Sequence, residues 1–115
     1  MLKIYGIKNC SSMKKAFDLL NELALPYEFH DYKKQGIDTD TVKVWLDQLG
    51  QDIVLNKKGT TWRKLSEQEQ QDALATQDNL IQAFITHTSL IKRPIIVHND
   101  TYVVGFDEEK IKALK

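Results

Sequence analysis

Residues 5–16 read YGIKNCSSMKKA and hold the single cysteine of a 115-residue chain, Cys10. The segment marks a change of period. Before it, residues 2–7 (LKIYGI) alternate Leu2, Ile4 and Gly6 against Lys3, Tyr5 and Ile7, and the β-branched and aromatic content predicts a strand. After it, Met13, Ala16, Phe17, Leu20 and Leu23 recur at three- and four-residue spacing, which predicts a helix with one buried face, stopped by Pro26. Residues 27–32 (YEFHDY) alternate again. Strand, helix and strand over this length form a βαβ unit with parallel strands.

Working outward, Gly36 and DTDT announce a helix carrying Val42, Trp45, Leu46 and Leu49 that ends at Gly50. A polar turn around Gly59 follows, then Trp62 and Leu65. Ser66 with Glu69 fits a capping box for the polar helix EQEQQDALA. Residues 79–90 (NLIQAFITHTSL) place Leu80, Ile81, Phe84 and Ile85 on one side of a further helix. Near the end, RPIIVHN and TYVVGF read as two strands of a hairpin turning at Asn99 and Asp100, and Asp107 caps a last helix. The order β-α-β, helical insert, β-β-α predicts an α/β fold, one domain over 1–115 with a mixed sheet and a helical insertion over about 36–90.

Sixteen basic and sixteen acidic residues cancel, so no overall field recruits nucleic acid or a membrane surface. The first residues lack a signal-peptide run and no window reaches bilayer-spanning length, so the expected location is cytoplasmic. One cysteine forms neither an intrachain disulfide nor a thiolate-rich metal site. His30, His87 and His98 fall on separate elements without ligand spacing, so no metal site is expected.

Cys10 has two readings. As a small apolar residue it packs in a core. As the residue at the mouth of a helix it meets unpaired N–H groups and the positive end of the dipole, which stabilise a thiolate and lower its pKa below the free value of about 8.5. Lys8 and Lys14 add positive charge, and Ser11 and Ser12 are placed to cap the helix or donate to sulfur. Pro94, in KRPII, has an imide bond open to the cis form, and otherwise starts an edge strand.

Three segments, YGIKNCSSMKKA, LNKKGTTWRKL and IKRPIIV, together resemble the ArsC/Spx family of thioredoxin-like proteins, closest to its YffB-type branch, over nearly the whole chain. The resemblance implies a thioredoxin-like sheet with an inserted helical subdomain, Cys10 as the reactive thiol, Arg93 as the basic residue facing it and Pro94 as a cis-proline. It further implies a glutathione-dependent thiol/disulfide reductase, with no bound cofactor and glutathione as co-substrate. Arg93 then stabilises the thiolate or pairs with a glutathione carboxylate. The backbone at Pro94, with Lys8, Asn9, Ser11 and Ser12, lines the glutathione site. Lys57, Lys58 and Arg63 form either a second basic wall or a solvated loop.

Two alternatives come with the family. Arsenate reductases of this type resemble the chain at Cys10 and Arg93, but the further arginines expected of them fall at Asn56 and near Gly105, leaving one guanidinium for a tetrahedral dianion. Spx-like regulators bind RNA polymerase, and some carry a Cys-x-x-Cys switch whose second position here is Met13. A non-catalytic binding module on the same fold is the remaining class.

Overall fold

The computed structural model describes residues 1–115. By its contacts the chain divides into two compact units, Met1–Gln35 with Arg93–Lys115, and Gly36–Lys92.

The first unit is built on a four-stranded sheet of order β2-β1-β3-β4, from β1 (Leu2–Gly6), β2 (Tyr27–Asp31), β3 (Ile95–His98) and β4 (Thr101–Val104). β1 and β2 are parallel, with Leu2 opposite Tyr27 and Gly6 opposite Asp31. β3 runs antiparallel to β1, and β4 antiparallel to β3 through the turn at Asn99 and Asp100. This is a thioredoxin-like mixed sheet. Alternation along β1 gives it two different faces. Leu2 and Ile4 join Ile96 and Val103 under α1 (Ser11–Glu22) and α8 (Glu108–Lys112), which contribute Met13, Ala16, Leu19, Leu20 and Ile111. Fully burying an aliphatic side chain of this kind contributes about 1.5–3 kcal/mol, so this layer is the main stabiliser of the unit. Tyr5 lies on the opposite face beside His30 of β2.

α1 ends before the proline expected to stop it. Leu25 N–H bonds the Leu20 carbonyl at 3.0 Å and Ala24 N–H the Asn21 carbonyl at 3.1 Å, a Schellman closure with Ala24 in the left-handed region at φ 55°. Leu25 then folds back onto the core. Pro26 follows a helix already closed.

β2 is also shorter than its alternation suggests. The Asp31 carboxylate, 6% exposed, accepts the Lys33 backbone N–H at 2.9 Å. That bond turns the chain into a short helix, α2 (Tyr32–Gln35), so Tyr32 opens a helix rather than ending a strand.

The second unit comprises α3 (Thr39–Leu49), α4 (Gln51–Val54), α5 (Thr60–Lys64), α6 (Glu67–Ala75), α7 (Gln77–Thr86) and a 3₁₀ turn, Thr88–Leu90. Val42, Trp45, Val54, Trp62, Leu80 and Phe84 are buried. Asp38 caps α3, and Ser66 and Glu69 close the capping box of α6. The helix expected through residue 90 stops at Thr86, because His87 leaves helical geometry at φ −128°, ψ 83°. α4 and α5, a single turn or little more each, have too few residues to show a helical period. At Gly59 a Cβ would meet the Asn56 side-chain nitrogen at 2.7 Å, so the turn is closed by side chain against backbone. No helix is long and apolar enough to cross a membrane.

Candidate active site around Cys10

Three elements of the sheet unit position the site. β1 delivers the chain to Gly6, where a Cβ would collide with the Met13 thioether, so only glycine lets α1 start this close to the strand. Residues 7–9 then lead to Cys10, the N-cap of α1, with extended geometry at φ −146°, ψ 131°. The Cys10 carbonyl accepts the Lys14 N–H at 3.0 Å, the first bond of the helix. The sulfur makes no full side-chain cap bond. The N–H groups of Ser12 and Met13, the positions a capping group serves, nonetheless bear on it closely enough to favour thiolate over thiol.

From the other end of the unit, Arg93 brings its guanidinium to the same sulfur as a hydrogen-bond donor. The Arg93–Pro94 peptide bond is cis, and the Pro94 carbonyl accepts the Gly105 N–H at 2.8 Å. Gly105 sits at φ 77°, the left-handed region that glycine enters without a Cβ penalty.

Burial of Cys10 pushes its thiol up. The Met13 N–H, the bond from Arg93, the Ser12 N–H and the Arg93 charge together outweigh that and hold Cys10 below the ordinary cysteine value. Cys10 is half-buried, so a small electrophile can reach it. A lowered pKa with partial exposure is the setting of a nucleophilic thiol rather than an inert one.

Lys8 and Asn9 are exposed in the bend before Cys10, Ser11 is exposed in the first turn, and Ser12 is half-buried. Ser12 acts through its backbone. Lys8 lies within hydrogen-bond reach of Lys34. That contact and the like charge lower the Lys8 pKa, and the Asp31 carboxylate opposes them. Pro94 is buried. The structure thus gathers Cys10, Ser12, Met13 and Arg93. Lys57, Lys58 and Arg63 are exposed and belong to the helical unit, in the turn before α5 and on α5 itself. A cavity of about 490 Å³ in that unit, lined by Glu69, Asp72 and His87 among others, includes none of these residues.

Sequence reasoning missed an aromatic cluster on the sheet face opposite α1. Tyr5 and His30 approach at 4.9 Å between ring centroids, and Tyr32 stacks on Tyr5 at 6.5 Å. The parallel register that sets His30 opposite Tyr5 was the available signal.

A thioredoxin-like sheet with one cysteine at the N-cap position of its first helix and an arginine converging on it defines a class of thiol-bearing protein. The chain belongs to the ArsC family, whose model matches residues 5–114. A solved protein titled YFFB is 38% identical, with a TM-score of 0.91 over 99% of this chain and 98% of its own. An arsenate reductase (ArsC) related protein from Brucella melitensis is 36% identical, with a TM-score of 0.75 over 97% of this chain and 92% of its own. The global transcriptional regulator Spx of Listeria innocua is 26% identical over 97% of this chain and 85% of its own length.

Proposed function

We propose that this protein is a glutathione-dependent thiol/disulfide reductase working through Cys10 alone. The observation that carries the reading is the convergence of the α1 N-terminus and the Arg93 guanidinium on the chain's single, half-buried thiol.

The Cys10 thiolate attacks the glutathione sulfur of a mixed disulfide R–S–S–G. The S–S bond breaks, RS⁻ leaves and takes a proton from solvent, and Cys10 carries glutathione as a new mixed disulfide. A second glutathione thiolate attacks that sulfur, releasing oxidised glutathione and restoring the Cys10 thiolate. The sum is RSSG + GSH → RSH + GSSG: the R sulfur goes from the disulfide to the thiol level while the sulfur of the attacking glutathione goes from thiol to disulfide. One protein thiolate suffices. Stabilising the thiolate improves Cys10 as a leaving group in the second step, since lower-pKa thiols leave faster. In this reading Arg93 holds the thiolate or a glutathione carboxylate, and the backbone at Pro94 with Lys8, Asn9, Ser11 and Ser12 receives the tripeptide. Lys57, Lys58 and Arg63 are its candidate second basic wall.

The name of the Brucella melitensis relative favours arsenate reduction as a second reading. Against it, the positions where further arginines are expected hold Asn56, packed on the Gly59 turn, and Gly105, in its backbone bond to Pro94. The Spx relative favours a transcriptional regulator, which on the family resemblance would bind RNA polymerase. Met13, where a switch cysteine is expected, is fully buried, so that reading requires binding without a local disulfide.

Oxidised glutathione should add one glutathione to the native protein and none to Cys10→Ser, read by intact mass, and reduced glutathione should remove it. A native protein that forms no adduct and whose alkylation glutathione does not slow would end this reading. Robust arsenate turnover dependent on Cys10 would establish the second one.

A further inference from the structure

Phe106 is the aromatic residue that the sheet unit leaves most exposed, at 36%. Its backbone is held on both sides. Gly105 N–H donates to the Pro94 carbonyl at 2.8 Å, and Asp107 caps α8 by accepting the Lys110 N–H at 3.1 Å. The first of these bonds sets Phe106 one residue from the backbone partner of the cis-proline. A hydrophobic residue before an N-cap often packs on the fourth residue of its helix, here Ile111, and is buried by doing so. Phe106 instead keeps its ring open and lies beside α1, where Lys15 Nζ stands 5.9 Å from the ring centroid. Lys15 is exposed, five residues along α1 from Cys10, a rise of about 7.5 Å. Helical side chains lean toward the helix start, so its reach is toward the turn that carries Ser11 and Cys10. The neighbouring Lys14 is paired with Asp18 at 2.7 Å, whereas Lys15 makes no ion pair.

An open aromatic face beside an uncompensated cation is complementary to an apolar group next to a carboxylate. Glutathione has carboxylates but no apolar side chain, so the fitting occupant is the other half of the mixed disulfide. We propose that Phe106 and Lys15 form the docking rim for the R group of RSSG, and that the substrates of Cys10 are peptide or protein thiols whose cysteine lies among apolar and acidic residues. The inference rests on the reading of Cys10 as a glutathione-dependent reductase and names the substrate class for it. Both side chains touch the departing R group and neither touches a reacting sulfur, so they set the choice of substrate rather than the chemistry.

The test follows transfer of glutathione to Cys10 by intact mass, in single turnovers, from three mixed disulfides of glutathione. One is with free cysteine, one with a pentapeptide whose cysteine lies between leucines and outer glutamates, and one with the same peptide carrying outer lysines. Each peptide rate is divided by the cysteine rate, so that a change in the Cys10 thiol itself cancels. Lys15→Glu should shift the ratio of glutamate to lysine peptide by about fivefold toward lysine, the upper scale of an exposed ion pair. Phe106→Ala should lower the relative rates of both peptides by about tenfold, the scale of an aromatic face left uncovered. A ratio unmoved by Lys15→Glu, or peptide rates untouched by Phe106→Ala, would overturn the docking rim, while transfer from the cysteine disulfide would leave the reductase reading standing. No transfer from any of the three would end that reading and this inference with it. Lys15 is exposed, so Lys15→Glu decides the matter should Phe106→Ala fail to fold.

Discussion

The guanidinium of Arg93, at the start of the chain's return to the sheet, donates to the sulfur of Cys10 at the start of its first helix. A planar fork and a point charge are not equivalent at such a site. Arg93→Ala should raise the apparent pKa of Cys10 alkylation. Arg93→Lys should recover part of that rise, because the charge remains and the directed donor is lost. Full recovery by lysine would reduce the arginine's part to charge alone.

Stability should carry the same signature. Cys10 is an acid whose folded pKa is depressed, so its contribution is fully present above the unfolded thiol's value of about 8.5. It is lost as pH falls through the lower folded value. Denaturation from pH 6 to 9 should therefore show native stability rising relative to Cys10→Ala toward the alkaline end. A constant difference between the two proteins would mean that the folded state does not favour the thiolate.

Gly6 and Met13 set the distance between β1 and α1. Gly6→Ala should destabilise by about 1–3 kcal/mol, the usual cost of overpacking a filled core. Combining it with Met13→Ala should be less damaging than the two single costs added, because the truncated side chain frees the space. Strict additivity in denaturant titrations would show that the clash is relieved elsewhere.

Ala24 closes α1 at φ 55°, where an L residue pays a steric penalty that glycine does not. Ala24→Gly should stabilise the protein by up to about 1 kcal/mol, the relief being partly offset by the greater freedom of glycine in the unfolded chain. A lower melting temperature would contradict the closure described.

Much of this fold was legible because period and burial agree. β1 alternates between two unlike faces, α1 repeats Met13, Ala16 and Leu20 on one stripe, and Ser66 with Glu69 forms the capping box their spacing suggests. Misreadings came where a local hydrogen bond overrides a pattern. The Asp31 carboxylate ends β2 one residue early, and the backbone closure at Ala24 ends α1 ahead of Pro26. Helices as short as α4 and α5 leave no period to read. Position alone marked Cys10. Its pairing with Arg93 is a contact between distant parts of the chain, which periodicity does not encode, and family resemblance supplied the expectation. Tyr32 escaped notice because YEFHDY alternates as well as any strand.

The most direct test of the central claim is steady-state reduction of a glutathione mixed disulfide by reduced glutathione, with native protein and Cys10→Ser side by side. The account predicts turnover by the native protein, strongest where Cys10 is ionised, and only the uncatalysed rate in Cys10→Ser. Equal rates in the two proteins, or a native protein with a reactive thiol and no turnover, would contradict it.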